Sequence, residues 1–284
     1  MANPCWDFSQ TSLRTTWSST DGVYSLTVTI LARLRSLIVV LAVVVGVGAP
    51  VRAEQIQTKR ITITVSAAAS LSKAYTEIGK QFERTNPSIK IRFNFASSAS
   101  LVSQIQSGAP TDVFAAADVT SIDKLLATGN VTKRPKMFAR NSMQLVVKPG
   151  NPLRISSVAD LPKASVISLC AKAAPCGSYA ATVLSRYGVA TPESKISRGI
   201  DAAATLNAVS TGDADAAIVY ATDALIARKS VLAISIPVGK NVKASYGIAV
   251  VRGSKNSKQA EMFVSYVLSP AGQKVLSNFG FLAP

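Results

Sequence analysis

The chain has 284 residues, with 31 Lys and Arg against 15 Asp and Glu, a formal net charge of +16. It contains no histidine, which removes the commonest general base, the Ser-His and Cys-His nucleophile pairs and most transition-metal sites. The basic balance suits an acidic partner, but no basic block is interleaved with aromatics as a nucleic-acid groove requires; Lys133-Arg134-Pro135-Lys136 reads as a solvated loop.

The first element reads as an export signal, with a retained membrane anchor as the alternative. Arg33 and Arg35 precede an apolar run over 36–49, and Val51-Arg52-Ala53 then places small residues at −3 and −1 of a cleavage site before Glu54. The run is too short for a comfortable membrane span and has the order of a secretory signal peptide. It starts far from Met1, which suggests a translation start further downstream. Residues 1–53 are therefore read as leader and signal peptide. The mature protein, from Glu54, keeps 27 basic and 13 acidic residues, no Trp, and two cysteines, Cys170 and Cys176. In an exported protein two nearby cysteines suggest a disulfide. A C-x₅-C redox or metal pair is the alternative, and the absence of His and of further Cys weighs against metal.

Ile61-Thr62-Ile63-Thr64-Val65 alternates and is β-branched, so it predicts a strand. Leu71, Ala74, Ile78 and Phe82 then recur at helical spacing. Ser70 falls at the handover, at or next to an N-cap, where unpaired backbone N–H groups and the positive end of a helix dipole favour an anion. The arrangement recurs: the strand over 89–95 runs into Ser98 ahead of a helix carrying Leu101 and Ile105. A third short strand, over 111–117, leads to Asp118 as an acidic N-cap and a helix closed by Gly129. This alternation argues a parallel α/β sheet, whose ligands sit outside the carboxyl ends of the strands.

After the strand over 144–148 the composition turns linker-like at Pro149-Gly150-Asn151-Pro152. A second α/β series follows: a strand over 166–169, a loop from Cys170 to Cys176, a helix from Gly177, and a helix opening at 199–202. Then come a strand over 216–220, a helix after Tyr220 and a strand over 231–236. The alternating segment 244–250 crosses back to the first domain, and two helices close the chain. Two α/β domains joined by two crossing strands describe a binding protein with a hinged cleft. Capping is the expected role of Asp118, Asp201 and Asp223.

Together S-A-A-A-S-L, F-A-S-S-A-S-L, Q-I-Q-S-G-A-P-T-D-V-F-A-A-A-D, P-C-G-S-Y-A, G-D-A-D-A-A-I-V-Y-A-T-D-A and S-P-A-G-Q-K-V-L-S-N-F-G-F resemble the periplasmic molybdate-binding proteins of ABC importers, the ModA family, over essentially all of 60–284. The resemblance implies a type II periplasmic-binding-protein fold. Domain I would be discontinuous, 54–141 and 246–284, with domain II at 142–245. It places the oxyanion ligands on the Ser70 and Ser98 hydroxyls, the Cys176 and Ala202 backbone N–H groups and the Tyr220 hydroxyl. Position 202-203 is Ala-Ala where relatives often have Val followed by Arg.

The expected function is capture of molybdate and tungstate in the cleft and delivery to a membrane permease. Molybdenum would enter only within the bound oxyanion. No cofactor, catalytic residue or nucleic-acid partner is expected, and the protein would act as a periplasmic or extracellular monomer. Another tetrahedral oxyanion such as sulfate is the alternative ligand. From a different class, a secreted serine hydrolase would use Ser70 with Lys73 as S-x-x-K. Donor-only groups suit a dehydrated dianion, because a buried charge left unpaired is very costly.

Overall fold

In the computed structural model, which describes residues 60–131 and 133–284, the chain enters at strand β1, Ile61–Ala68. The signal sequence and its cleavage site lie outside the described residues. β1 runs three residues beyond its β-branched core, through Ser66-Ala67-Ala68, because it is flanked on both sides. It pairs in parallel with β2, Ile89–Ala96, and with β3, Val113–Ala116. Strands covered on both faces tolerate continuous apolar sequence, and β3 is buried throughout.

Helix α1, Ser72–Thr85, follows β1 and buries Ala74, Tyr75, Ile78, Gly79 and Phe82, one stripe at 3.6-residue spacing. Against it lies α7, Ser257–Leu268, with Phe263 edge-on to Phe82 at 5.5 Å between ring centroids. Such edge-to-face pairs add about 0.5–1.5 kcal/mol beyond the burial itself. Helices α2, Ser98–Gln106, and α3, Val119–Ala127, cover the other face with Leu101, Ile105, Ile122 and Leu125. The closing helix α8, Pro270–Asn278, starts from Ser269, whose hydroxyl accepts from the Gly272 N–H.

Strand β4 is the joint of the molecule. It spans Lys136–Val147, eight residues longer at its start than the alternation in 144–148 indicates, so Lys136 of the basic tetrapeptide opens a strand and is not loop. Residues 136–142 pair with β9, Lys243–Val250, while 143–147 pair with β7, Ala216–Tyr220; its last three also pair with β8, Leu232–Ile234. β9 in turn lies antiparallel beside β3. The second set is parallel again: β5, Ile167–Cys170, between β6, Ile196–Gly199, and β7. β6 is short and half exposed, and its sequence carries no alternation that would have announced it.

Helices α4, Pro175–Tyr187, α5, Ala202–Ser210, and α6, Ala221–Ile226, follow β5, β6 and β7. The strand order β2-β1-β3-β9-β4-β7-β5-β6 thus puts the carboxyl ends of two parallel groups on either side of the β4/β9 pair. One apolar cluster, including Val65, Tyr75, Phe138, Leu145, Ile167, Ile218 and Tyr246, runs through both. Among the described residues no helix is long and apolar enough to cross a membrane.

Candidate functional site

All five residues singled out in the sequence meet at one cavity. Ser70, Ser98, Cys176, Ala202 and Tyr220 line it together with Ala68, Ala69, Ser97, Ala117, Pro175 and Asp201. The cavity is small, with an accessible volume of only ≈ 10 Å³, about the space of one water, which leaves no room for a sugar or peptide. Each wall is a strand-to-helix junction.

Ser70 does not cap its helix. It sits in a 3₁₀ turn, Ala69–Leu71, and α1 begins from Leu71 without a side-chain cap. Its Oγ lies 2.9 Å from Tyr246 Oη, and both groups are buried. Ser98 is the first residue of α2, whose N-cap is Ser97. The Ala117 N–H donates to Ser98 Oγ at 3.0 Å, so the Ser98 hydroxyl proton remains for another acceptor.

Cys170 and Cys176 are disulfide-bonded. Cys176 is the second residue of α4 and so belongs to the helix, not to the preceding loop; Pro175 at the first position starts the helix without needing an N–H. The Ala174 N–H closes the turn onto the Ala171 carbonyl at 2.9 Å. A β-carbon at Gly177 would stand 2.1 Å from that same carbonyl oxygen, so only glycine lets the first turn of α4 close over this loop. Ala202 opens α5 behind Asp201, whose carboxylate accepts from the Ala204 N–H at 2.9 Å. Although Asp201 borders the cavity, its carboxylate is engaged in that cap. The N–H groups of Cys176 and Ala202 stand in first turns, where no acceptor exists within the helix, and they have no other protein acceptor among the described residues.

Tyr220 ends β7, and its hydroxyl is buried without a protein partner. Its ring stands edge-on to Tyr179 at 6.4 Å and to Tyr246 at 5.9 Å. Burial holds the Tyr220 and Tyr246 phenols well above the usual tyrosine range and pushes Tyr179 up to about 12. All three are therefore neutral hydroxyls at ordinary pH, able to donate. Tyr246 and Tyr179 went unnoticed in the sequence, where Tyr246 is one position of an alternating strand and Tyr179 one of a helix face. No group of three His, Cys, Asp or Glu side chains that could hold a metal ion occurs among the described residues.

Asp118 caps α3 as expected, accepting from the Ser121 N–H at 3.3 Å. Asp223 does not cap α6: the N-cap is Tyr220, with no side-chain capping bond. The Asp223 carboxyl is buried with Oδ2 unpartnered, and burial raises its pKa to about 7, opposed by the Tyr220 backbone N–H. Apart from Asp201 the cavity wall carries no ionisable acid and no Lys or Arg. What it offers is hydroxyl and amide donors at helix starts, a constellation that holds an anion by dipoles.

Residues 63–282 match the family model for bacterial extracellular solute-binding proteins. The chain is 37% identical over 224 residues to the molybdate-binding protein ModA of Mycobacterium tuberculosis, covering 78% of this chain and 85% of that one. Among solved structures it is similar to the substrate-binding domain of a putative molybdenum ABC transporter from Clostridium difficile. There the TM-score is 0.60 and the identity 26%, over 79% of this chain and 99% of that chain. The periplasmic molybdate-binding protein of Azotobacter vinelandii shares the fold with TM-score 0.71 at 19% identity, over 78% and 99% of the two chains.

Proposed function

The chain belongs to the bacterial extracellular solute-binding proteins, in the line of the ModA molybdate-binding proteins, and we propose that it captures molybdate, and tungstate, for an ABC importer. The oxyanion enters a cleft between two lobes, 54–141 with 246–284 and 142–245, which hinge on β4 and β9. A membrane permease receives it. The protein is exported, works as a monomer, needs no cofactor and catalyses no reaction.

One observation carries the reading: Tyr220, whose buried hydroxyl has no protein partner, lines the same small cavity as two serines and two helix-start N–H groups that have no protein acceptor among the described residues. A buried hydroxyl is normally satisfied, and an acceptor-only tetrahedral dianion satisfies this one together with its four neighbours. Ser70 and Ser98 donate through their hydroxyls, Cys176 and Ala202 through N–H, and Tyr220 through Oη. Hydrogen bonds to a charged acceptor are worth about 1.5–3 kcal/mol each. Neutral donors achieve this without a fixed positive charge that would slow release. Against the S-x-x-K reading, Ser70 Oγ is hydrogen-bonded to Tyr246, and Lys73 borders a neighbouring pocket and not this cavity.

Calorimetric titration of the mature protein with molybdate, tungstate, sulfate and phosphate tests the proposal. Molybdate and tungstate should bind in a one-to-one ratio and more tightly than sulfate and phosphate. Absence of molybdate binding, or tighter sulfate binding, would refute it.

A further inference from the structure

Behind Ser70 runs a chain of buried hydrogen bonds whose polarity can be read from one end. The Ser142 N–H donates to Asn141 Oδ1 at 2.9 Å, which fixes the orientation of that amide. Asn141 Nδ2 therefore points the other way, toward Thr222 Oγ1 at 2.8 Å and Tyr246 Oη at 3.4 Å. An amide nitrogen can only donate. Tyr246 Oη must then accept on that side, and its single proton is left for Ser70 Oγ, 2.9 Å away. The Ser70 oxygen accepts that proton, so its own proton is the one that remains for the cavity. Asn141, Thr222 and Tyr246 are all buried, so water does not compete along the relay.

We propose that Asn141 and Tyr246 are positioning residues that direct the Ser70 hydroxyl proton toward the oxyanion in the cavity. The inference rests on the oxyanion reading above. Asn141 stands where β4 passes from β9 to β7, and Thr222 stands in α6, so the relay also ties the first wall of the site to elements of the second.

The test is a double-mutant cycle read by calorimetry with molybdate. Tyr246→Phe should weaken binding roughly 2- to 12-fold, the value of one neutral hydrogen bond, and should have no further effect in the Ser70→Ala background. Equal losses in both backgrounds would overturn the relay, since a merely structural Tyr246 acts regardless of Ser70. Asn141→Asp gives a second reading, because a carboxylate accepts from Tyr246 and takes its proton away from Ser70: the resulting loss of molybdate affinity should shrink in the Ser70→Ala background, and an equal loss in both backgrounds would overturn the proposal. Wild-type protein that binds no oxyanion would overturn the functional reading itself, whereas wild-type binding with additive mutant losses overturns the relay alone.

Discussion

Tyr220→Phe separates binding from folding. The variant keeps the ring, and hence the edge-on contacts to Tyr179 and Tyr246 at 6.4 and 5.9 Å. It deletes a hydroxyl that is buried and has no protein partner. A core tyrosine whose hydroxyl is satisfied by the protein loses about 0.5–1.5 kcal/mol of stability on such a change. Here no protein bond is lost, so the ligand-free stability should stay level or rise by up to about 1 kcal/mol. The bound state behaves oppositely. Removing one donor to a dianion costs about 1.5–3 kcal/mol, a loss of roughly 10- to 150-fold in molybdate affinity. Two measurements suffice: denaturant unfolding of ligand-free protein, and calorimetric titration of the same preparations. If Tyr220→Phe lowers ligand-free stability and leaves molybdate affinity at the wild-type value, the hydroxyl serves the fold and the reasoning fails.

Ser98→Ala should likewise cost roughly 10- to 150-fold in affinity. It should also destabilise the ligand-free protein by about 1–3 kcal/mol, because the Ala117 N–H loses its acceptor; unfolding and titration together check both. Replacing Cys170 and Cys176 by Ala should lower stability by about 2 kcal/mol in the chain-entropy model, and thiol titration of the native mature protein should find no free thiol. Asp223 makes stability depend on pH with a definite sign. Its folded pKa, about 7, exceeds the ordinary 3.8, so the folded state holds the proton more tightly. Its contribution is therefore full below about pH 4 and is lost as pH rises toward 7, up to roughly 4 kcal/mol. Asp223→Asn should flatten that slope and stabilise the protein on the alkaline side; identical pH profiles in thermal unfolding would contradict it. Molybdate affinity should change little between low and moderate sodium chloride, because exposed charges are screened over about 8–10 Å while no Lys or Arg borders the cavity.

Sequence alone determined most of the order of strands and helices and the places of Ser70 and Ser98 at their junctions, whereas Cys176, Ala202 and Tyr220 came from the resemblance. Both depend on local physics: apolar periodicity separates helix from strand, and a helix start leaves N–H groups unpaired wherever the helix packs. The motif set then tied Ser70, Ser98, Cys176, Ala202 and Tyr220 to one another, although they lie in five separate segments. Where partners are remote, local pattern was silent. Arg140-Asn141-Ser142 interrupts any alternation, so the first part of β4 became visible only through its pairing with β9. The half-exposed β6 exists because β5 offers it a ladder, not because Ile-Ser-Arg-Gly prefers to be extended. Ser70 reads as a cap from its neighbours, yet its hydroxyl goes to Tyr246, 176 residues away. Asp223 reads as a cap too, but burial between packed elements leaves its Oδ2 unpartnered and the carboxyl hard to ionise. A hydroxyl or carboxyl takes whichever partner the fold brings within about 3 Å, and that choice is made by tertiary packing.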